Sequence, residues 1–141
     1  MLDREELQRF LIQAQADGYY ELFLLDLCTG LRRGELIALQ WDDLNFETGV
    51  LTVNKQAYTV NGELQILPPK TKASVRKLVL PPAVLAVLRE YHKKVDSRWM
   101  FPSPVKADRP ITPGVARRRL QTILERADCK RVRFHDLRHT F

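Results

Sequence analysis

Apolar residues recur at helical spacing from the start of the chain. Leu7, Phe10, Leu11 and Ala14 fall on one face of a helix, and Asp3 followed by Glu6 supplies a capping-box start with Asp as the cap. Asp17-Gly18 breaks that helix. Tyr20, Phe23, Leu24, Leu25 and Leu27 make the run from Tyr19 to Cys28 apolar nearly all round, as in a buried helix. Gly30 closes it in the left-handed geometry common at helix ends. A short third helix starts near Arg33 and turns Leu36, Ile37 and Leu39 inward, and Trp41-Asp42-Asp43-Leu44 leaves it.

The period then changes. Asn45 to Gly49 is turn-like, and Val50-Leu51-Thr52-Val53 is rich in β-formers. Gln56 to Val60, Asn61-Gly62 and Glu63 to Leu67 read as a hairpin, because Asn and Gly both tolerate positive φ. Pro68-Pro69 ends the ladder, since neither residue donates a hydrogen bond. Lys70 to Ser74 is basic and turn-prone, and Val75 to Leu80 reads as the last strand. The pattern predicts a small antiparallel sheet of about three strands, which must lean on helices. Pro81-Pro82 opens the next helix, with Val84, Leu85, Val87, Leu88, Tyr91 and Val95 on its core face. A loop over 96–110 is anchored by Trp99, Met100 and Phe101. Thr112-Pro113 starts a helix that buries Ala116, Leu120, Ile123, Leu124 and Ala127 and turns Arg117, Arg118, Arg119 and Arg126 to other faces. The layout is α+β, mostly helical, in a single domain over 1–141.

Composition adds a partner class. The chain of 141 residues carries a net charge of +6, which favours polyanionic partners. The cations come in short clusters at element ends: Arg32-Arg33, Lys70-Thr71-Lys72, Arg76-Lys77, Arg117-Arg118-Arg119, Lys130-Arg131 and Arg133. Such clusters can line a groove. No apolar run reaches the length of a membrane span, and residues 1–16 lack the pattern of a signal peptide. Cys28 and Cys129 are the only cysteines, far apart and in no metal-type spacing, so two reduced thiols in a cytoplasmic protein are expected.

Two clusters carry the candidate chemistry. In Thr29-Gly30-Leu31-Arg32-Arg33-Gly34-Glu35, Arg32 follows a helix end, where a guanidinium can grip a phosphate through two bonds. The plain alternative is a solvated arginine, and Arg33 competes for the role. Glu35 can meet Arg32 on the helix and orient it. In His135-Asp136-Leu137-Arg138-His139-Thr140-Phe141, His135 and Arg138 share a helical face and offer an imidazole and a cation to one oxyanion. His135 and His139 also have the spacing of a zinc helix. Asp136 is one methylene short of the glutamate that motif uses as a base. Arg138 brings a cation to nearly the same face, and the sole remaining histidine, His92, is not an obvious third ligand. No metal is expected, and His139 reads as a packed or capping residue. Lys70 and Lys72, on the connection between strands, can reach a leaving oxygen as general acid if neighbouring positive charge lowers the lysine pKa.

Taken together, Thr29 to Glu35, Pro69-Lys70-Thr71-Lys72 ahead of the Arg76 strand, and Phe134 to Thr140 resemble the catalytic domain of tyrosine recombinases, most of all phage and conjugative-transposon integrases. The resemblance runs from about residue 3 to the end. It implies site-specific recombination of double-stranded DNA by metal-free transesterification, with no cofactor. A tyrosine attacks a backbone phosphorus, leaving a 3′-phosphotyrosyl link and a free 5′ hydroxyl. On the matching positions, Arg32 and Arg138 clamp the non-bridging oxygens, His135 assists proton transfer, and Lys70 protonates the leaving oxygen, with Lys72 as its alternative. Glu35 is the acidic residue that follows the first arginine, and His139 supports the site. Arg33, Arg76, Arg117, Arg118 and Arg119 are expected to contact DNA.

The family pattern continues past His139 with a further His or Trp and then the nucleophile, positions that fall after Phe141. Tyr19, Tyr20, Tyr58 and Tyr91 all precede the closing motif. The expectation is therefore a partial catalytic domain, inactive alone and compatible with a monomer, from a protein that forms multimers on DNA. A non-enzymatic DNA-binding module that keeps the fold is the competing class, and a zinc hydrolase using His135 and His139 is a third.

Overall fold

In the computed structural model, which describes residues 1–69 and 71–137, helices flank a strand region in the chain. The helices are α1 (Arg4–Asp17), α2 (Tyr20–Thr29), α3 (Arg33–Ile37), α4 (Pro82–His92), α5 (Pro113–Arg126) and α6 (Phe134–Leu137). The strands are β1 (Val50–Val53), β2 (Gln56–Val60), β3 (Glu63–Leu67) and β4 (Arg76–Val79). The chain divides into two compact units, Met1–Arg33 with Gly114–Phe141, and Gly34–Pro113.

The first unit is helical. The Asp3 carboxylate accepts from the Glu6 N–H at 2.8 Å, and Glu6 accepts from the Asp3 N–H at 3.2 Å, the reciprocal cap expected for α1. Phe10 and Ala14 of α1 are buried, as are Leu22, Phe23 and Leu25 of α2. They share the unit's core with Ala116, Leu120, Ile123, Leu124 and Ala127, the face predicted for α5. Phe23 is the hinge of an aromatic chain: its ring meets Phe10 edge-on at 5.2 Å and Phe134 of α6 at 5.7 Å. Polar contacts tie the sequence ends together. Arg9 donates to the carbonyls of Ala127 and Asp128 at 2.9 and 3.0 Å, and Glu6 accepts from the Lys130 N–H at 2.9 Å.

The second unit holds the strands. Asn61 and Gly62 take φ of +51° and +79° between β2 and β3. These are the positive values a tight hairpin turn needs and that Asn-Gly supplies. The strand pairing differs from the expectation of one sheet of about three strands: among the described residues four strands form two separate antiparallel pairs, β1 with β4 and β2 with β3. In β1–β4, Val50 lies opposite Val79 and Val53 opposite Arg76. Asn54-Lys55 interrupts the path from β1 into the hairpin, and the donor-less Pro68-Pro69 ends β3. Neither end of the hairpin therefore continues the β1–β4 ladder. The α+β, mostly helical class is as expected, and among the described residues no helix is long and apolar enough to cross a membrane.

Helix α4 starts at Pro82, and Val84 and Leu88 are its buried positions. Trp99, Met100 and Phe101 anchor the following loop, at 5%, 0% and 4% exposure. The Trp99 indole donates to the Asp108 carbonyl at 3.0 Å, and the Tyr91 hydroxyl to that of Met100 at 2.7 Å. His92 stacks on Trp41 at 3.9 Å between ring centres.

Candidate functional site

Arg32 is presented by a turn that the rest of its motif builds. The Thr29 hydroxyl donates to the Leu25 carbonyl at 2.7 Å and accepts from the Leu31 N–H at 3.3 Å. Gly30, at φ +65°, donates to the Asp26 carbonyl at 3.0 Å and so ends α2. Leu31 is buried, and Arg32, the next residue, is exposed. Arg33 is half-buried, and its guanidinium is held below its ordinary range, first by burial and then by the positive charge of Arg117. A concentration of cations of this kind suits an anionic partner.

His135 is presented in a similar way by α6. Phe134 and Leu137 are buried while His135 is exposed. Arg133 grips the helix start: its Nε and Nη2 donate to the Asp136 carboxylate at 2.9 and 3.4 Å. Those hydrogen bonds, more than the charge itself, hold the Asp136 carboxyl below the usual range and raise Arg133. Upstream, Gln121 of α5 donates to the Val132 carbonyl at 2.9 Å. Arg32 and His135, far apart in sequence, thus belong to one compact unit, and the Phe23–Phe134 contact packs α2 against α6.

The arginines of α5 are all exposed, but they differ in their surroundings. Arg119 lies over the Tyr19 ring at 5.5 Å, Arg117 adds its charge to that felt by Arg33, and Arg118 reaches back toward Gly114. Successive helical positions are about 100° apart, so three in a row cannot meet one flat partner equally.

In the second unit, Glu35 is buried and holds Arg76 through both carboxylate oxygens, at 2.9 and 3.0 Å. Sequence reasoning placed Glu35 beside Arg32 and Arg76 on DNA. It did not foresee this pair, whose members lie 41 positions apart. Lys72 is exposed at the start of a 3₁₀ turn, Lys72–Ser74, in the connection between β3 and β4. Lys70, Arg138 and His139 lie outside the described residues. Among the described residues no group of three or more His, Cys, Asp or Glu side chains is placed to hold a metal ion.

The chain and its fold are similar to known proteins. The model of the phage integrase family matches residues 1–141. A "tyrosine recombinase XerC-like" protein of Caldanaerobacter subterraneus subsp. tengcongensis is 29% identical, with 97% of this chain and 41% of that protein covered. A putative prophage phiRv2 integrase of Mycobacterium tuberculosis is 27% identical, over 91% of this chain and 35% of its own length. Among solved structures, that of the Tn1549 transposon integrase in complex with circular intermediate DNA superposes with a TM-score of 0.85 at 24% identity. The match covers 98% of this chain and 51% of that one, and it shows a shared fold. The chain therefore spans between a third and about half the length of these proteins.

Proposed function

Because the chain belongs to the phage integrase family, we propose that it carries part of the catalytic domain of a tyrosine recombinase that integrates or excises a mobile element. The substrate is double-stranded DNA. Several protomers assemble on it, and the protein works in the cytoplasm. The observation that supports this reading most is the shared unit of Arg32 and His135: each side chain is exposed beside buried neighbours, and the Phe23 and Phe134 rings join α2 to α6.

In the proposed reaction a tyrosine oxygen attacks the scissile phosphorus and the 5′ oxygen leaves. Negative charge grows on the non-bridging oxygens, where Arg32 and Arg138 stabilise it, with His135 assisting by hydrogen bond and proton transfer. Lys70, or Lys72 in its place, protonates the departing 5′ oxygen. Positioned cations suffice for such a step, because phosphoryl transfer is governed by alignment and charge neutralisation. Arg33 and Arg117 to Arg119 hold the flanking backbone.

The test is covalent capture. The protein containing this chain, given a suicide DNA substrate whose cleaved end diffuses away, is expected to accumulate a protein–DNA adduct. Arg32→Ala and Arg138→Ala are each expected to cut its rate of formation severely. Unimpaired capture by those variants contradicts the assignment, and tight DNA binding with no adduct in the unaltered protein supports a non-enzymatic DNA-binding module instead.

A further inference from the structure

The Arg76 guanidinium meets the Glu35 carboxylate along both arms. Nη1 donates to Oε2 at 3.0 Å and Nη2 to Oε1 at 2.9 Å. The carboxylate side is 10% exposed and the guanidinium side 46%. Two planar groups joined by two bonds fix orientation as well as distance. A carboxylate buried this far requires such a partner.

The position of each member matters more than the pair itself. Arg76 is the first residue of β4, opposite Val53 of β1. It is where the connection 68–75, which carries Lys70 and Lys72, rejoins a strand. Glu35 lies in α3, the short helix that begins directly after Arg32. That helix is itself pressed onto β2, since a Cβ on Gly34 would stand 2.6 Å from the Ala57 carbonyl oxygen. One ion pair thus ties the far end of the lysine connection to the helix that follows the first arginine.

Among the described residues the connection has little else to hold it. Thr71 to Val75 are all exposed, and its internal support is the 3₁₀ turn with a Thr71–Ser74 hydroxyl contact of 3.0 Å. An exposed segment restrains a lysine only as well as its ends are restrained, because ordering each residue costs conformational entropy.

We propose that Arg76 is a positioning residue for the lysine of the 68–75 connection, acting through Glu35, and that it is not a phosphate contact. The proposal deepens the recombinase reading above and rests on it. With both arms engaged by a carboxylate, Arg76 offers a neighbouring phosphate little net charge. Its contribution falls on the step that needs the lysine, the protonation of the 5′ oxygen.

Chemistry separates that step from the others. When sulfur replaces the bridging 5′ oxygen, the leaving group is a thiolate, stable without a proton because a thiol ionises near pKa 8.5. The experiment compares cleavage of the oxygen and sulfur substrates by the protein containing this chain, at saturating DNA, alongside affinity as a function of salt. For Arg76→Ala the expected result is a loss of about 10²-fold on the oxygen substrate, the scale of a catalytic group misplaced by about 1 Å. Near-normal cleavage of the sulfur substrate and an unchanged salt slope are expected with it.

A rate loss equal on both substrates would overturn the proposal in favour of general structural damage. A weaker affinity with a salt slope reduced by about 1 would overturn it in favour of a phosphate contact. If Arg76→Ala does not fold, Arg76→Lys carries the same comparison, since it keeps the charge and loses the fork. Failure of the unaltered protein to cleave either substrate would overturn the recombinase reading and this proposal with it. Normal cleavage by the unaltered protein without sulfur rescue in the variant would overturn the proposal alone.

Discussion

Within the run Arg33-Gly34-Glu35, each residue answers to a different neighbour, and the glycine shows it most clearly. A Cβ at Gly34 would lie 2.6 Å from the Ala57 carbonyl oxygen and 2.8 Å from the Gln56 Cγ. The carbonyl belongs to a paired strand and cannot move aside cheaply. Gly34→Ala is expected to destabilise the protein by about 1–3 kcal/mol, the cost of overpacking a filled site. Gly114→Ala, in α5 with nothing nearer than 3.5 Å, is expected to leave stability unchanged or raised, because alanine favours helix over glycine. Chemical denaturation of both variants checks the contrast, and equal losses would contradict it. The sequence showed that Arg32 follows a helix end and suggested that Glu35 meets it on one helix, whereas α3 begins one residue later, at Arg33. It could not show why a glycine separates Arg33 from Glu35, because the atom that forbids a side chain there belongs to β2, a strand reached only after folding.

Among the elements, the local signals were the legible ones. The Asp3–Glu6 cap, the Asn61-Gly62 turn, the Pro82 and Pro113 helix starts and the Trp99–Phe101 anchors each depend on residues a few positions apart, and each forms as the pattern predicts. The pairing of β1 with β4 was not legible, since a whole hairpin lies between them and period-2 alternation does not name a partner. Glu6 joins both kinds of contact. It caps α1 locally and also accepts from the Lys130 N–H at 2.9 Å. That distant N–H, followed by the Asp3 N–H, lowers its carboxyl from 4.5 to about 2. A carboxyl depressed on folding contributes stability above its unfolded value, and that contribution is lost as pH falls through the folded one. The contribution of Glu6 is therefore complete above about pH 4.5 and fades toward pH 2. Glu6→Gln is expected to be less stable at neutral pH and to lose less stability than the unaltered protein between pH 4.5 and 2. Thermal unfolding across that interval measures the difference, and parallel curves would contradict the assignment.

At the scale of the whole chain, the two ends of the sequence share one compact unit while the strand region forms the other. That arrangement puts Arg32 and His135 in the same unit even though most of the chain separates them, and the alternation of apolar residues gives no sign of it. The motifs were legible because their chemistry is local: a guanidinium after a glycine turn, an imidazole beside buried neighbours. The helices that carry them are joined by Phe10, Phe23 and Phe134 packing in series, a contact among residues from three separate helices. The basic residues divide on the same scale: Arg76 is held by Glu35, Arg119 lies over Tyr19, and Arg33 and Arg117 add their charges near one another.

The central claim is that Arg32 and His135 act on one phosphate, and a double-mutant cycle on the cleavage rate tests it most directly. Rates of adduct formation are measured for the protein containing this chain and for Arg32→Ala, His135→Ala and the double variant. Groups that stabilise one transition state as a unit are strongly non-additive. The double variant is therefore expected to be little slower than the slower single variant. Losses that multiply, so that the double variant shows the product of the two single defects, would contradict the claim.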